Sequence, residues 1–283
     1  MTSSQLVHDV PDTAFLVAGF RALETARPDA LVRDDFADRL AGERGREIVR
    51  KHPRLEMGVW MMAVRTTIID DYVRAAIERG VDTIVNLGAG LDARPYRLAL
   101  PPELRWIEAD FPSMIEHKTG VLAGETPHCA LERVGLDLAD RGARWGFLAK
   151  VAEQSKRALV LAEGVLPYLA EVDVAALADD LHTHACFESW IVDCISVEAH
   201  RLRERSGGEL ASVKFQFCPT DWVGFFAEHG WKRERVRYIP EAARELGRPA
   251  PLSWARRIGL ALTSPERRRA AATFMGYAEL VRA

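Results

Sequence analysis

Thr83-Ile84-Val85-Asn86-Leu87-Gly88-Ala89-Gly90-Leu91-Asp92-Ala93-Arg94, followed by Arg105-Trp106-Ile107-Glu108-Ala109-Asp110, is the stretch that decides the fold. A short β-rich run opening into closely spaced glycines lets the backbone turn sharply and approach a ligand, and the start of the next helix offers free N–H groups. Asp110 stands about 20 positions beyond the turn, at the tip of the next strand, where a carboxylate suits the two hydroxyls of a ribose. The spacing therefore predicts a site for an adenosine-type cofactor built on Gly88, Gly90 and Asp110.

Gly88, Gly90 and Ala93 also satisfy G-x-G-x-x-G/A, which keeps a nicotinamide-dependent or flavin-dependent oxidoreductase open, although that pattern alone is weak. Two features count against a dinucleotide. The unit begins only after a long helical stretch, and Asp92 places a negative charge beside the turn, where it would repel a pyrophosphate. S-adenosylmethionine, which has no phosphate, fits the same turn without that conflict.

The chain has 283 residues, enough for one large α/β domain with insertions. Its net charge is −3, with 38 Lys and Arg against 41 Asp and Glu. The arginines are dispersed, which argues against a nucleic-acid footprint. The densest basic run, Arg267-Arg268-Arg269, reads as a solvated helix face. Cys129, Cys186, Cys194 and Cys218 show neither C-x-x-C nor zinc-site spacing, so buried reduced thiols and no metal are expected. Met1-Thr2-Ser3-Ser4-Gln5 lacks a basic segment followed by an apolar core, so no secretory signal is expected, and no apolar stretch is long enough to cross a bilayer. A cytoplasmic protein with no membrane or nucleic-acid partner is the expectation.

Residues 13 to 80 read as helices broken near Pro28 and Pro53. On the last of them, Met61, Met62, Ile68, Ile69, Tyr72, Val73 and Ala76 share a face, and Arg65 stands in its middle. A guanidinium there needs an acid, either within the protein, such as Asp92, or on a ligand. From Thr83 onward strands alternate with helices. Expected strands end near Asp110, Asp137 and Glu163, and Trp190 to Asp193 forms another. This alternation predicts a doubly wound, mostly parallel sheet with ligands outside the carboxyl ends of its strands, so three acids line one crevice. Ser206-Gly207-Gly208 marks a loop in an insertion around 196–218. Lys232 to Ile239 and Thr273 to Val281 read as late strands around a mostly helical 241–270. The expected division is a helical cap over 1–80 and an α/β domain over 81–283.

Val85 to Arg94, Glu108-Ala109-Asp110-Phe111-Pro112 with Lys118, and Ala162-Glu163-Gly164-Val165-Leu166-Pro167-Tyr168-Leu169 together resemble the leucine carboxyl methyltransferase family, in particular its bacterial branch typified by the tetracenomycin polyketide O-methyltransferase. Thr13-Ala14, Arg21 to Glu24, Arg65 with Asp70, and His229-Gly230-Trp231 extend the resemblance over roughly residues 13 to 240. It implies a class I methyltransferase fold with S-adenosylmethionine as donor and a small-molecule oxygen acceptor, often a carboxylate and here polyketide-like. Position by position, it implies that Arg65 holds the methionine carboxylate and that Gly88 and Gly90 face the methionine and ribose. Asp110 takes the ribose hydroxyls, Asp137 with Leu138 meets the adenine, and Glu163 faces the amino-acid end.

For the acceptor, Arg21 and Tyr168 are the candidate catalytic side chains, one on the N-terminal segment and one just beyond the Glu163 strand end. A phenol or alcohol acceptor would need a base, most often histidine. His117, His182, His184, His200 and His229 show no acid partner in the sequence, which favours a carboxylate acceptor. A cofactor-binding protein without catalysis remains an alternative class at this stage.

Overall fold

Every residue of Thr83–Leu87 (β1) and of Ala158–Ala162 (β4) is buried, so these two apolar strands form the middle of the sheet. The computed structural model describes residues 10–205 and 215–283. β1 is flanked on its other side by Arg105–Asp110 (β2) and then Ala130–Gly135 (β3). β4 is followed outward by Phe187–Ile195 (β5), Met275–Arg282 (β7) and Trp231–Tyr238 (β6). The order is β3-β2-β1-β4-β5-β7-β6, parallel except for β7, which runs antiparallel to both neighbours.

Side chains alternate across the strands, so one sequence feeds two cores. Val85, Ile107, Val160 and Trp190 face the layer of Arg141–Glu153 (α6) and Glu171–Thr183 (α7), which contribute Leu148, Val151, Leu177 and Leu181. Ile84, Trp106, Leu159, Leu161 and Tyr277 face the other layer, where Leu55–Glu78 (α3) supplies Val64, Ile68, Ile69, Tyr72 and Val73. The helical cap expected over 1–80 thus divides within the described residues 10–80. The helix α3 belongs to the sheet's own layer, whereas Val10–Thr25 (α1) and Ala37–Lys51 (α2) lie over the glycine turn through Ala18, Leu40, Leu91 and Ala93.

One local expectation changes. The helix after the glycine turn is a single turn, Arg94–Arg97 (α4), because Leu98 is extended and returns its N–H to the Arg94 carbonyl. α6 starts at Arg141, where the Asp140 side chain accepts the Ala143 N–H at 3.0 Å and caps it. The expected loop at Ser206-Gly207-Gly208 and the reading of Met1 to Gln5 fall outside the described residues. The insertion before them contains Val197–Arg205 (α8), and Trp222–Glu228 (α9) leads into β6. None of the four cysteines is in a disulfide among the described residues; only Cys129 is buried, while Cys186, Cys194 and Cys218 are half-buried.

Beneath β2, against Pro112–Val121 (α5), Lys118 and Glu108 are both fully buried and paired at 2.8 Å, with Arg133 on the second Glu108 oxygen at 3.0 Å. Removing one partner from such a group leaves an uncompensated buried charge, worth about 3 to 5 kcal/mol. Lys118→Met should lower the unfolding free energy by about that amount, and Lys118→Met with Glu108→Gln should recover part of it. Urea titrations of the two variants measure this; a single variant as stable as the wild type would show that the pair contributes nothing.

Candidate active site

The strand order reverses between β1 and β4, which opens a crevice at their carboxyl ends. A cavity of about 400 Å3 occupies it, within the roughly 300 to 1,000 Å3 usual for small-molecule sites. Its lining includes Arg21, Arg65, Gly88, Gly90, Asp110 and Asp137, with Leu138, Glu163 and Tyr168. Every site residue anticipated from the sequence is therefore at this one place.

Gly88 leaves β1 with φ +63°, and a Cβ there would lie 2.4 Å from Val165 Cγ2. Only glycine suits both the backbone and the approach of the neighbouring loop. Gly90 follows with φ +46° and donates its N–H to Asp110 Oδ2 at 2.6 Å, while Phe111 N–H donates to Oδ1 at 2.7 Å. The carboxylate is thus fixed by two backbone donors from two strand tips. Burial raises the Asp110 pKa above the usual carboxylate value, and the two N–H groups hold the rise back.

The floor is a set of buried charges. Arg65 Nε lies 2.5 Å from Glu163 Oε1. Arg94 reaches Glu163 Oε2 at 2.9 Å, Asp92 Oδ2 at 2.8 Å and Asp70 Oδ1 at 2.7 Å. Asn86 donates to Asp92 at 2.9 Å, and Arg97 holds Asp70 from the other side at 2.6 Å. Burial opposes the charge on Arg65, but Glu163, with Tyr277 and Asp193 beside it, outweighs that opposition and keeps the guanidinium firmly ionised. Burial likewise opposes the Glu163 and Asp92 charges, yet the arginines win and hold both carboxyls below their usual range. The partner expected for Arg65, Asp92, belongs to Arg94 instead. Because Asp92 is paired, its repulsion of a phosphate is weaker than the sequence alone implies.

Sequence reading passed over Asp193. It is buried at the end of β5, accepts the Gly164 N–H at 2.7 Å, and so anchors the loop that carries Glu163. Burial pushes its pKa up to about 6 despite the nearby Arg65. Tyr277, whose ring lies 5.7 Å from the Arg65 guanidinium carbon, completes the underside.

At the opposite wall Asp137 is exposed just beyond β3, its Oδ1 accepting the Ala139 N–H at 2.9 Å. Leu136, Leu138, Phe111 and Met114 form an apolar surface beside it. The mouth carries Thr13, Ala14, Val17 and Arg21 from α1, with Tyr168 and Leu169 across from them. Arg21 is no surface or capping arginine: it is buried, pairs with Asp34 at 2.8 Å, and donates Nη2 to the Leu91 carbonyl at 2.6 Å. Tyr168 is half-buried against Phe215. One histidine does have an acid partner, His229 with Asp179 at 2.7 Å, a pairing made across α7 and α9 that spacing could not reveal. It lies away from the cavity, which no histidine lines among the described residues.

Residues 14–182 match the model of the leucine carboxyl methyltransferase family. The chain is 32% identical over 277 residues to a provisionally named S-adenosyl-L-methionine-dependent methyltransferase of Mycolicibacterium paratuberculosis, covering 84% of each chain. A protein given the same provisional name in Mycobacterium tuberculosis is 32% identical over 281 residues, 87% of each chain. Among solved structures, a DUF574-family protein from Streptomyces avermitilis superposes with a TM-score of 0.57 at 13% identity, covering 94% of this chain and 97% of that one. The methyltransferase domain of bacterial CtHen1-CN gives 0.50 at 14% identity over 77% of this chain and 99% of that one. The chain belongs to the leucine carboxyl methyltransferase family and has the class I methyltransferase fold.

The raised pKa of Asp193 has a consequence for stability. An acid whose pKa is higher folded than unfolded binds more protons in the native state, so its contribution is fully present below the unfolded value and is lost as pH rises through the folded one. For Asp193 the window runs from 3.8 to about 6. The stability of the wild type relative to Asp193→Asn, which keeps an oxygen for Gly164, should therefore fall across that window, by on the order of 3 kcal/mol. Denaturant titrations at several pH values check it; a difference independent of pH would refute it.

Proposed function

We propose that this protein, a methyltransferase that uses S-adenosylmethionine, methylates a carboxylate oxygen of a small acid to give a methyl ester. The observation that carries the acceptor assignment is the make-up of the cavity mouth. It presents the buried cation Arg21 and, among the described residues, no histidine. An acceptor that must lose a proton needs a base in reach, whereas a carboxylate is already ionised at neutral pH and needs only positioning.

The cavity fits the methyl donor. Gly88 and Gly90 line the cavity with bare backbone, and the floor offers a cation and carboxylates together. Arg65 would hold the carboxylate of the donor's amino-acid part and Glu163 would face its ammonium. Asp110 would take the ribose hydroxyls, and Asp137 with Leu138 the adenine. When bound, S-adenosylmethionine supplies an electrophilic methyl carbon on a cationic sulfur, whose displacement by a carboxylate oxygen leaves a neutral thioether and needs no proton transfer.

The chain's own part is then orientation and exclusion of water. Two of the Arg21 donors are committed to Asp34 and Leu91, which fixes the plane of the guanidinium. Nη1 makes no hydrogen bond among the described residues and would meet the acceptor carboxylate. Tyr168, on the facing side of the mouth, would border the same acceptor, with Val17 and Leu169 providing apolar walls. These walls suit a compact apolar acid, in keeping with the polyketide-like substrates that the sequence resemblance implies.

Asp110→Ala removes charge-assisted hydrogen bonds worth roughly 1.5 to 3 kcal/mol, so affinity for S-adenosylhomocysteine should fall by about ten-fold to over a hundred-fold. Titration calorimetry on the folded variant measures this, and unchanged affinity would remove Asp110 from the ribose site.

With an acid substrate in hand, single-turnover rates should be nearly flat between about pH 6 and 8, since a carboxylate stays ionised throughout. The methylated product should release methanol under mild alkali. A rate that climbs with pH, together with an alkali-stable methyl group, would identify a phenol or alcohol acceptor and overturn the carboxylate reading.

A further inference from the structure

Between β6 and β7 the chain makes a helical excursion through Ile239–Glu245 (α10), Trp254–Ala261 (α11) and Pro265–Ala272 (α12). β6 ends and β7 begins beside the carboxyl end of β5, since Tyr238 and Cys194 both pair with Gly276. The excursion thus leaves and rejoins the sheet at the edge on which the cavity opens. Its base is tied to the body: Trp60 Nε1 donates to the Arg248 carbonyl at 2.8 Å, and Arg248 pairs with Glu24 at 3.3 Å.

The tip is different. α11 packs mainly against α12, and its apolar side chains remain in solvent: Trp254 is 77% exposed, Ile258 50% and Leu262 81%. Spaced four apart, these three lie on one side of the helix. A scattered exposed leucine needs no explanation, but three large apolar groups aligned on one helix, with a tryptophan at its start, do. Between Ala250 and Ala272 the sequence has five arginines against one glutamate. Arg256 points to the other side of α11 at 100° per residue, and Arg267, Arg268 and Arg269 follow on α12. Arg256, Arg267 and Arg269 make no ion pair among the described residues.

We propose that the α11–α12 hairpin docks on an anionic lipid surface, with Trp254, Ile258 and Leu262 entering the interface and the arginines meeting the headgroups. An apolar row backed by basic residues, with an aromatic group at one end, is the pattern of a helix lying in a membrane interface. Charge complementarity selects anionic lipid over a neutral one. The convex row is one side chain wide and about 12 Å long, small beside the roughly 800 Å2 per partner of a stable protein interface. Among the described residues no helix is long and apolar enough to cross a membrane, so the attachment is peripheral. It places the edge that carries the cavity next to the bilayer.

The test is flotation of the full chain with phosphatidylcholine vesicles and with vesicles that also contain phosphatidylglycerol. Binding to the anionic vesicles alone, weakened by added salt, is expected. Trp254→Ser with Leu262→Ser should abolish it while leaving melting temperature and S-adenosylhomocysteine binding unchanged, because these side chains are exposed and do not line the cavity. Each of Arg267→Gln and Arg269→Gln should weaken partition about five-fold, the equivalent of about 1 kcal/mol per basic residue at an anionic surface. No flotation with either vesicle, or equal flotation of the serine variant, would overturn the proposal. So would a dimer in sedimentation experiments that the serine variant dissolves, since the row would then be covered by a second copy of the chain.

Discussion

Arg94 binds carboxylates from three separate parts of the chain: Asp70 on α3, Asp92 in the glycine turn and Glu163 at the tip of β4. Its side chain is 3% exposed, so the charge is tolerable only because these acids surround it. The dependence runs both ways. Glu163 and Asp92 remain ionised beside each other because Arg94 bridges them, with Arg65 adding to its hold on Glu163 and Lys118 and Arg97 to its hold on Asp92. This one guanidinium ties the helical layer, the turn and the central strand into a single floor, and everything above it takes its position from there. Asp193 extends the arrangement by holding the backbone next to Glu163.

Such a floor is pre-organised for a zwitterion. Arg65 and Glu163 form an ion pair at 2.5 Å, Arg94 holds the second Glu163 oxygen, and Arg65 Nε makes no hydrogen bond among the described residues. A ligand carrying a carboxylate and an ammonium meets groups that are already charged and already oriented, so little reorganisation is required on binding. The two readings of Arg65 that the sequence left open, internal ion pair and ligand cation, are therefore compatible: the internal partner is what keeps the cation in place.

What the sequence disclosed followed from local rules. The run Thr83 to Leu87, the glycines after it and the acids Asp110 and Glu163 at strand ends are readable because strand periodicity and turn chemistry act over a few residues. Arg94 was legible only as a charge beside a turn, since two of its three partners, Asp70 and Glu163, lie 24 and 69 residues away. Asp193 was readable as a strand residue, but its bond to Gly164 depends on β4 and β5 lying side by side. The same holds for His229 and Asp179, which are 50 residues apart. The helix expected after the turn shrank to four residues because sequence propensity gave no sign that Pro95 would start a single turn and stop. The exposed row on α11 was hidden for the opposite reason: a helical pattern tells which residues share a side, not whether another element covers it.

Arg21 shows why burial and function must be separated by design. It joins α1 to the Asp34 segment and to the Leu91 carbonyl in the glycine turn, so it helps hold the cover over the cavity as well as lining it. Deleting the side chain would loosen the cover and remove the cation in one step, and a lost activity would not say which mattered. The geometry offers a way to divide the two. Asp34 receives only the Nε bond from Arg21 and, among the described residues, does not line the cavity. Asp34→Asn therefore weakens the latch while leaving the guanidinium charge available at the mouth. If Arg21 serves mainly as a latch, both substitutions should impair turnover alike. If it also positions an acid, the loss of Arg21 should raise the acceptor KM well beyond the change at Asp34, since the cation is the part of the arrangement that the acceptor meets.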